Sequence, residues 1–340
     1  MSASLERPAF ATRKEYARRL CDVAYWRPYV QAVWARSRLG TFRTVRAPLP
    51  GTYPTFVVDD RLVVKFFGRR FNGARAFAVE RHVQELIRRV PEIPGPVVVG
   101  EGALFERGSG WHWPYLLTQA LPGRSLTEVA DRVSWEGRLA AARFLADVAR
   151  RLHGLTPEPV VPELRPTWES FAALLARRRR EFPQELAGSS GVPPWFVAQA
   201  ETFVEPVEHL IDSQTPPVLL HADLTADHVL GQFRRRRWVP TGVIDFGDAR
   251  MGDRLYELVS LHLDCFRGHK RLLAAFLEQY GLDETLRRDF ARRAMCMTIL
   301  HEFFAAPVLF RMDPALREAG SLDELARLLW DLDAPGIGGQ

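Results

Sequence analysis

Cysteine is scarce in this 340-residue chain. Cys21, Cys265 and Cys296 are odd in number, far apart and outside any C-x-x-C spacing, so neither a disulfide framework nor a cysteine zinc site is implied. A reducing cytoplasm is the expected compartment. Lysine is also scarce: only Lys14, Lys65 and Lys270 stand among 46 basic residues, the rest being Arg. The formal net charge of +5 therefore reads as a compositional bias toward Arg and not as selection for nucleic acid. The dense basic runs at 177–180 and 234–237 lack the interleaved aromatics of a single-strand platform and read as solvated faces, the second beside a hairpin turn. No stretch approaches the roughly 18 uninterrupted apolar residues of a membrane span, and no apolar segment follows the N-terminal charges. Repeats and low-complexity tracts are missing too. Neither a membrane nor a nucleic-acid partner is expected.

With 47% apolar and 26% charged residues, the chain can bury one or two real cores. Residues 13–39 carry apolar positions at helical spacing, which predicts two short amphipathic helices broken near Pro28. Short apolar runs at 56–58 and 62–67 predict a β-hairpin turning at Asp59-Asp60. A helix is predicted over 74–89, then strands at 97–99 and 115–118. Past Leu121-Pro122-Gly123 the pattern turns helical at 135–153, 168–185 and 194–211. Strand-like segments at 218–220 and 239–244 interrupt it, and helix resumes over 255–330. A division near 119–123 follows.

The chemistry concentrates in His221-Ala-Asp223-Leu-Thr-Ala-Asp-His228 and, further on, Asp245-Phe-Gly-Asp248. Each cluster ends an apolar strand-like run, where a rigid scaffold can present side chains. The order H-x-D followed by D-F-G is that of kinase catalytic and metal-binding loops, where one carboxylate takes the hydroxyl proton and another holds Mg²⁺. Lys65 lies inside Leu-Val-Val-Lys-Phe-Phe, where a buried ammonium needs an anionic partner. Glu80 on the following helix is the expected carboxylate, in the place where kinases orient this lysine. Asp253, just ahead of the helix predicted from Arg254, reads as its cap.

These motifs resemble those of the aminoglycoside phosphotransferase family, and the resemblance extends over essentially the whole chain. Tyr25-Trp26-Arg27-Pro28, Val64-Lys65-Phe66-Phe67-Gly68, Trp113-Pro114-Tyr115-Leu116, Gly252-Asp253-Arg254-Leu255-Tyr256 and Phe266-Arg267-Gly268 are most similar to the hygromycin B 7″-phosphotransferases. The resemblance implies an α+β, two-lobed protein-kinase-like fold, with a small β-rich lobe over 1–118 and a larger, mainly helical lobe over 119–340. It implies an ATP- or GTP-dependent, Mg²⁺-requiring kinase of a small-molecule hydroxyl, working as a monomer. Asp223 would be the catalytic base and His221 would fix its loop. Asp245 and His228 would hold the metal; most members carry Asn at the latter position, and His there resembles the 2″-phosphotransferases. Lys65 with Glu80, the phosphate-covering loop at Gly51 and Thr52, and hinge residues Thr118 and Ala120 would hold the nucleotide.

Asp227, Asp248, Asp264 and Glu302 are the candidate acceptor contacts. An aminocyclitol such as hygromycin B is the acceptor that the resemblance suggests. The chain's positive charge would not attract a polycation, which keeps a nucleoside antibiotic of the capuramycin type open. A primary-metabolite kinase acting on choline, homoserine or a thiosugar shares the same core motifs. Outside enzymes, a nucleotide-binding pseudokinase or a nucleic-acid binder remains, the former disfavoured by Lys65, Asp223 and Asp245 standing together.

Overall fold

The computed structural model describes residues 5–108, 110–281, 289–304 and 306–333. Two compact units divide the chain. The first takes Met1–Pro122 together with Gly242–Gly247, and the second takes Gly123–Thr241 and Asp248–Gln340. A short return segment, Gly242–Gly247, thus groups with the N-terminal part. The Val243 N–H donates to the Pro94 carbonyl (2.9 Å), and a Cβ at Gly242 would lie 2.4 Å from the same oxygen. That close approach admits only glycine.

The first unit is built on an antiparallel five-stranded sheet of order β1-β2-β3-β5-β4: β1 Val45–Arg46, β2 Thr55–Val58, β3 Leu62–Phe66, β4 Val98–Ala103 and β5 Pro114–Gln119. The β2–β3 hairpin turns at Asp59 and Asp60 as predicted, both at positive φ (50° and 51°), with Arg61 N–H on the Val58 carbonyl at 3.0 Å. Asp tolerates that conformation, and the Asp59 carboxylate stabilises it by accepting from the N–H groups of Arg43 and Thr44. Helices α1 (Arg13–Arg19) and α2 (Val23–Arg36) precede the sheet. Their break falls at Leu20–Asp22 and not near Pro28, because the Asp22 side chain caps α2 through Tyr25 N–H. Pro28 costs α2 one internal hydrogen bond, but buried Trp26, Tyr29, Val30 and Val33 carry the helix through it, Trp26 stacking on Phe66 at 5.1 Å. After β3, Phe71 and Asn72 both take positive φ and α3 (Gly73–Ile87) begins. Its buried residues Ala76, Val79, Glu80, Val83, Gln84 and Ile87 recur every three or four positions, so Glu80 stands on the inward stripe of an amphipathic helix.

The second unit is mainly helical. Helix α4 (Trp135–His153) matches its predicted span, and α5 (Glu169–Ala187) follows. The helix expected over 194–211 splits into α6 (Pro194–Phe203) and α7 (Val207–Leu210), with Val204 extended after the first and Pro206 capping the second. A two-stranded antiparallel sheet pairs β7 (Val218–Leu220) with β10 (Arg250–Gly252). A second sheet orders β6 (Arg124–Ser125), β8 (Val229–Arg234) and β9 (Arg237–Val243), with Arg235 and Arg236 at positive φ in the turn. Then come α8 (Arg254–Ser260), a π-helical turn (Leu261–Cys265), α9 (Lys270–Tyr280), α10 (Phe290–Leu300), α11 (Ala306–Met312) and α12 (Leu322–Trp330). Residues 282–288 and 305 of the stretch predicted helical lie outside the described residues. Asp253 caps α8 as expected, accepting from Leu255 N–H at 2.8 Å. Among the described residues no helix is long and apolar enough to cross a membrane, and the three cysteines are free.

Two buried histidines of this unit give it a pH signature. Burial pushes His262 down to about 4, while its ring donates to the Leu329 carbonyl at 2.9 Å. Burial, with repulsion from Arg250 and Arg178, pushes His301 down to about 3. The unfolded chain accepts these protons near pH 6.5 and the folded one refuses them, so stability is full above about pH 6.5 and declines toward pH 4. The urea midpoint should fall between pH 7.5 and pH 5, and His262→Gln, which keeps the donor to Leu329, should flatten that fall. Equal midpoints at the two pH values would contradict this.

Candidate active site

In the first unit, β3 delivers Lys65 between two carboxylates. Its ammonium donates to Glu80 Oε2 and Asp245 Oδ1, both at 2.7 Å. Lys65 and Glu80 are buried and Asp245 is about one-third exposed (32%), so Asp245 is the carboxylate solvent can reach. Burial works against the ammonium, but the charges of Asp245 and Glu80 outweigh it and raise the Lys65 pKa above its ordinary value. Gln84 donates to Glu80 Oε1 at 3.2 Å, which holds the second oxygen of that carboxylate. Asp245 sits at φ 67°, in the left-handed region that Asp tolerates better than most residues. Lys65, Glu80 and Asp245 are thus brought together, and the arrangement can neutralise and orient an anion such as a phosphate.

The other nucleotide-side candidates fare differently. Thr118 is buried in β5 opposite Val63 and Val98. The Ala120 N–H donates to the Arg61 carbonyl and the Gln119 N–H to the Val97 carbonyl, both at 2.8 Å. These two N–H groups are therefore engaged within the sheet. Gly51 and Thr52 lie exposed ahead of β2, and the Thr52 carbonyl accepts from Tyr16 Oη at 2.8 Å. A Cβ at Gly51 would meet nothing within 4 Å and its φ is not positive, so no steric requirement for glycine exists there.

In the second unit, β7 delivers His221 and Asp223. Ala222 between them is buried at φ 66°. Glu257 of α8 holds this strained turn: its carboxylate accepts from the His221 N–H at 2.6 Å and the Ala222 N–H at 3.1 Å. His221 is fully buried, and its Nδ1 accepts from the Asp223 N–H at 3.3 Å. The Asp223 carbonyl accepts from His228 Nδ1 at 2.8 Å, which places the His228 lone pair on Nε2. Glu257 escaped the sequence reading, yet a charged residue in the apolar run Leu255-Tyr-Glu-Leu-Val meets the same criterion that singled out Lys65. Glu257→Ala should cost about 1–3 kcal/mol for each buried N–H group it strands. Activity should fall with it, whereas Glu257→Gln, keeping one acceptor, should retain part of both. Wild-type unfolding and turnover in the Ala variant would remove Glu257 from this role.

Asp223 opens onto a cavity of about 340 Å³ within the second unit, which Thr225, Ser260, Asp264 and His301 also line. Asp264 reaches it on the π-helical turn and accepts from the Ala226 N–H at 2.8 Å. Ser260 Oγ and His301 Nε2 are buried with no hydrogen-bond partner among the described residues, so two polar atoms of the lining await one. Of the other acids expected to contact an acceptor, Asp227 is exposed and Asp248 half-buried, and neither lines the cavity. Glu302 forms ion pairs with Arg177 (2.9 Å) and Arg250 (2.8 Å) and does not line the cavity. Among the described residues no group of three or more His, Cys, Asp or Glu side chains could hold a metal.

The model of the phosphotransferase enzyme family (APH) matches residues 46–296, and the chain belongs to that family. Its fold is the kinase-like α+β fold of aminoglycoside phosphotransferases. The GDP complex of an aminoglycoside 2′-phosphotransferase-IIIa mutant superposes with a TM-score of 0.61 at 20% identity, over 87% of this chain and 95% of that one. The streptomycin–ATP ternary complex of APH(2″)-IIa gives 0.54 at 17% identity, over 87% and 97%. APH(3″)-Id from Streptomyces rimosus, with ADP and streptomycin, gives 0.53 at 20% identity, over 81% and 98%. A curated relative, lysine-specific demethylase JMJ21 of Arabidopsis thaliana, is 25% identical over 272 residues, or 65% of this chain. The match spans only 29% of that protein's length.

Proposed function

We propose that the chain transfers the γ-phosphoryl group of ATP to a hydroxyl of a small molecule. The observation that carries this reading is Lys65 clamped at 2.7 Å by both Glu80 and Asp245, an ammonium fixed for phosphate oxygens. Asp223 orients the acceptor hydroxyl and receives its proton, and no covalent enzyme intermediate is needed. His221 and Glu257 position the Asp223 backbone. A divalent ion fits the donors present: Mg²⁺ is commonly held by one or two carboxylates with phosphate and water completing the shell. In the first unit Asp245 is the carboxylate that would hold it; in the second, His228 Nε2 offers a softer donor. When bound, the ion would offset charge on the phosphates.

For the acceptor, the cavity beside Asp223 favours the less charged of the compounds that the sequence leaves open. With Glu302 paired and Asp227 outside the lining, a polycation such as hygromycin B finds few carboxylates there. A nucleoside antibiotic meets the lining better. ADP formation should be followed with hygromycin B, kanamycin, a capuramycin-type nucleoside, choline and homoserine as acceptors. Stimulation by the nucleoside alone is expected; stimulation by choline or homoserine alone would assign a metabolite kinase instead.

A further inference from the structure

The acceptor cavity has a wall that neither the catalytic motifs nor the candidate acids account for. Phe303, Phe304, Val308, Leu309 and Met312, from the turn before α11 and from α11 itself, make one side of it apolar. Phe303 and Val308 are half exposed, at 50% and 52%, so two large apolar side chains face water at a cavity margin where a ligand would cover them. Arg267 and Arg311 line the same cavity. Both are exposed, and neither guanidinium has an ion-pair or hydrogen-bond partner among the described residues. That sets them apart from Arg177, Arg178, Arg250 and Arg292 of this unit, each tied to a carboxylate. The cavity's acids are occupied in comparison. Asp264 is bound to the Ala226 N–H, and Asp223 lies 3.5 Å from His228 Nδ1.

We propose that this cavity selects an amphipathic alcohol that carries an acidic group. The apolar portion packs on Phe303, Val308 and Met312, and the carboxylate or phosphate is received by Arg267 and Arg311, which act as specificity-determining residues. The inference rests on the phosphotransferase reading, in which Asp223 faces the acceptor. It narrows that reading to an acidic acceptor, such as a nucleoside bearing a carboxylate or phosphate, opposite in charge to an aminoglycoside. Arg is suited to the task because its planar fork can grip either oxyanion with two parallel hydrogen bonds. Arg267 stands at φ 53°, next to Gly268 at φ 74°, so the backbone at this corner is held in a setting that few residues adopt. Ser260 and His301 supply the buried polar atoms that would meet the rest of the molecule.

Three probes of one shape separate the charge from the rest: 4-(hydroxymethyl)benzoate, 4-methylbenzyl alcohol and 4-(aminomethyl)benzyl alcohol. Their binding to the full chain, without nucleotide, is measured by saturation-transfer NMR and titration. The benzoate should bind about tenfold tighter than the amine, the scale of one charge-assisted hydrogen bond. Arg267→Asn, chosen because Asn tolerates positive φ, and Arg311→Gln should each shrink that ratio while leaving the neutral alcohol unchanged. Val308→Asp should weaken the neutral alcohol and the benzoate. The proposal is overturned if the amine binds as well as the benzoate, if both Arg variants keep the ratio, or if none of the three binds. Because no nucleotide is present, failure here leaves the ATP reading standing, and failure of ATP-dependent transfer leaves the charge preference to be read on its own.

Discussion

Asp223→Asn is expected to keep nucleotide binding and lose turnover by about two to four orders of magnitude, the usual contribution of a positioned general base. The substitution is nearly isosteric, so the contacts of the surrounding backbone should survive it: the Asp223 N–H on His221 Nδ1 and the Asp223 carbonyl under His228. What is lost is the proton acceptor. An amide in that position can still hydrogen-bond an alcohol but cannot take its proton. The effect should therefore fall on kcat and spare the acceptor's KM. Near-wild-type kcat in a folded variant would remove Asp223 as the base.

The second large effect concerns stability as well as activity. Lys65→Ala should destabilise the chain by about 3–5 kcal/mol, because it leaves a buried charge without its partner. The two partners are unequal in this respect. Removing Lys65 takes the cation from both Glu80 and Asp245, whereas removing Glu80 leaves Lys65 paired with Asp245 at 2.7 Å. Glu80→Ala should accordingly cost less than Lys65→Ala. Lys65→Met combined with Glu80→Leu removes the buried pair altogether and should recover most of the stability lost in the Lys variant, while ATP-dependent activity stays lost. In a double-mutant cycle the losses of activity from Lys65→Ala and Glu80→Ala should be less than additive, as for two groups acting as one unit. Additive losses would show that the two act separately.

The sequence exposed these residues where one local contrast sufficed. Lys65 is a cation in an apolar strand, Glu80 falls on the buried stripe of an amphipathic helix, and Asp223 and Asp245 each close an apolar run in a recognisable order. The β2–β3 turn was legible for the same reason, since adjacent acids between apolar runs need little beyond their own backbone. What stayed hidden depends on contacts remote in the chain. The cavity beside Asp223 joins the end of α8 and its π-helical turn to residues some forty positions later, and no periodicity announces that meeting. The ion pairs of Glu302 with Arg177 and Arg250 were hidden for the same reason, since both partners lie far from it in sequence. The Ala120 N–H on the Arg61 carbonyl is likewise a contact between residues remote in the chain. The position of the α1–α2 break followed the Asp22 cap and not the proline, the stronger helix breaker by propensity, because buried aromatics outweigh one missing hydrogen bond.

The central claim, phosphoryl transfer from ATP to an alcohol through Asp223, is tested most directly by the mass of the acceptor. The full chain is incubated with ATP, Mg²⁺ and each acceptor that stimulates ADP formation, and the products are separated and weighed. The account predicts one product heavier than its acceptor by about 80 Da, the mass of one added phosphoryl unit. It should form in step with ADP and be missing with Asp223→Asn. ADP appearing while every acceptor keeps its mass, or an undiminished product from Asp223→Asn, would contradict it.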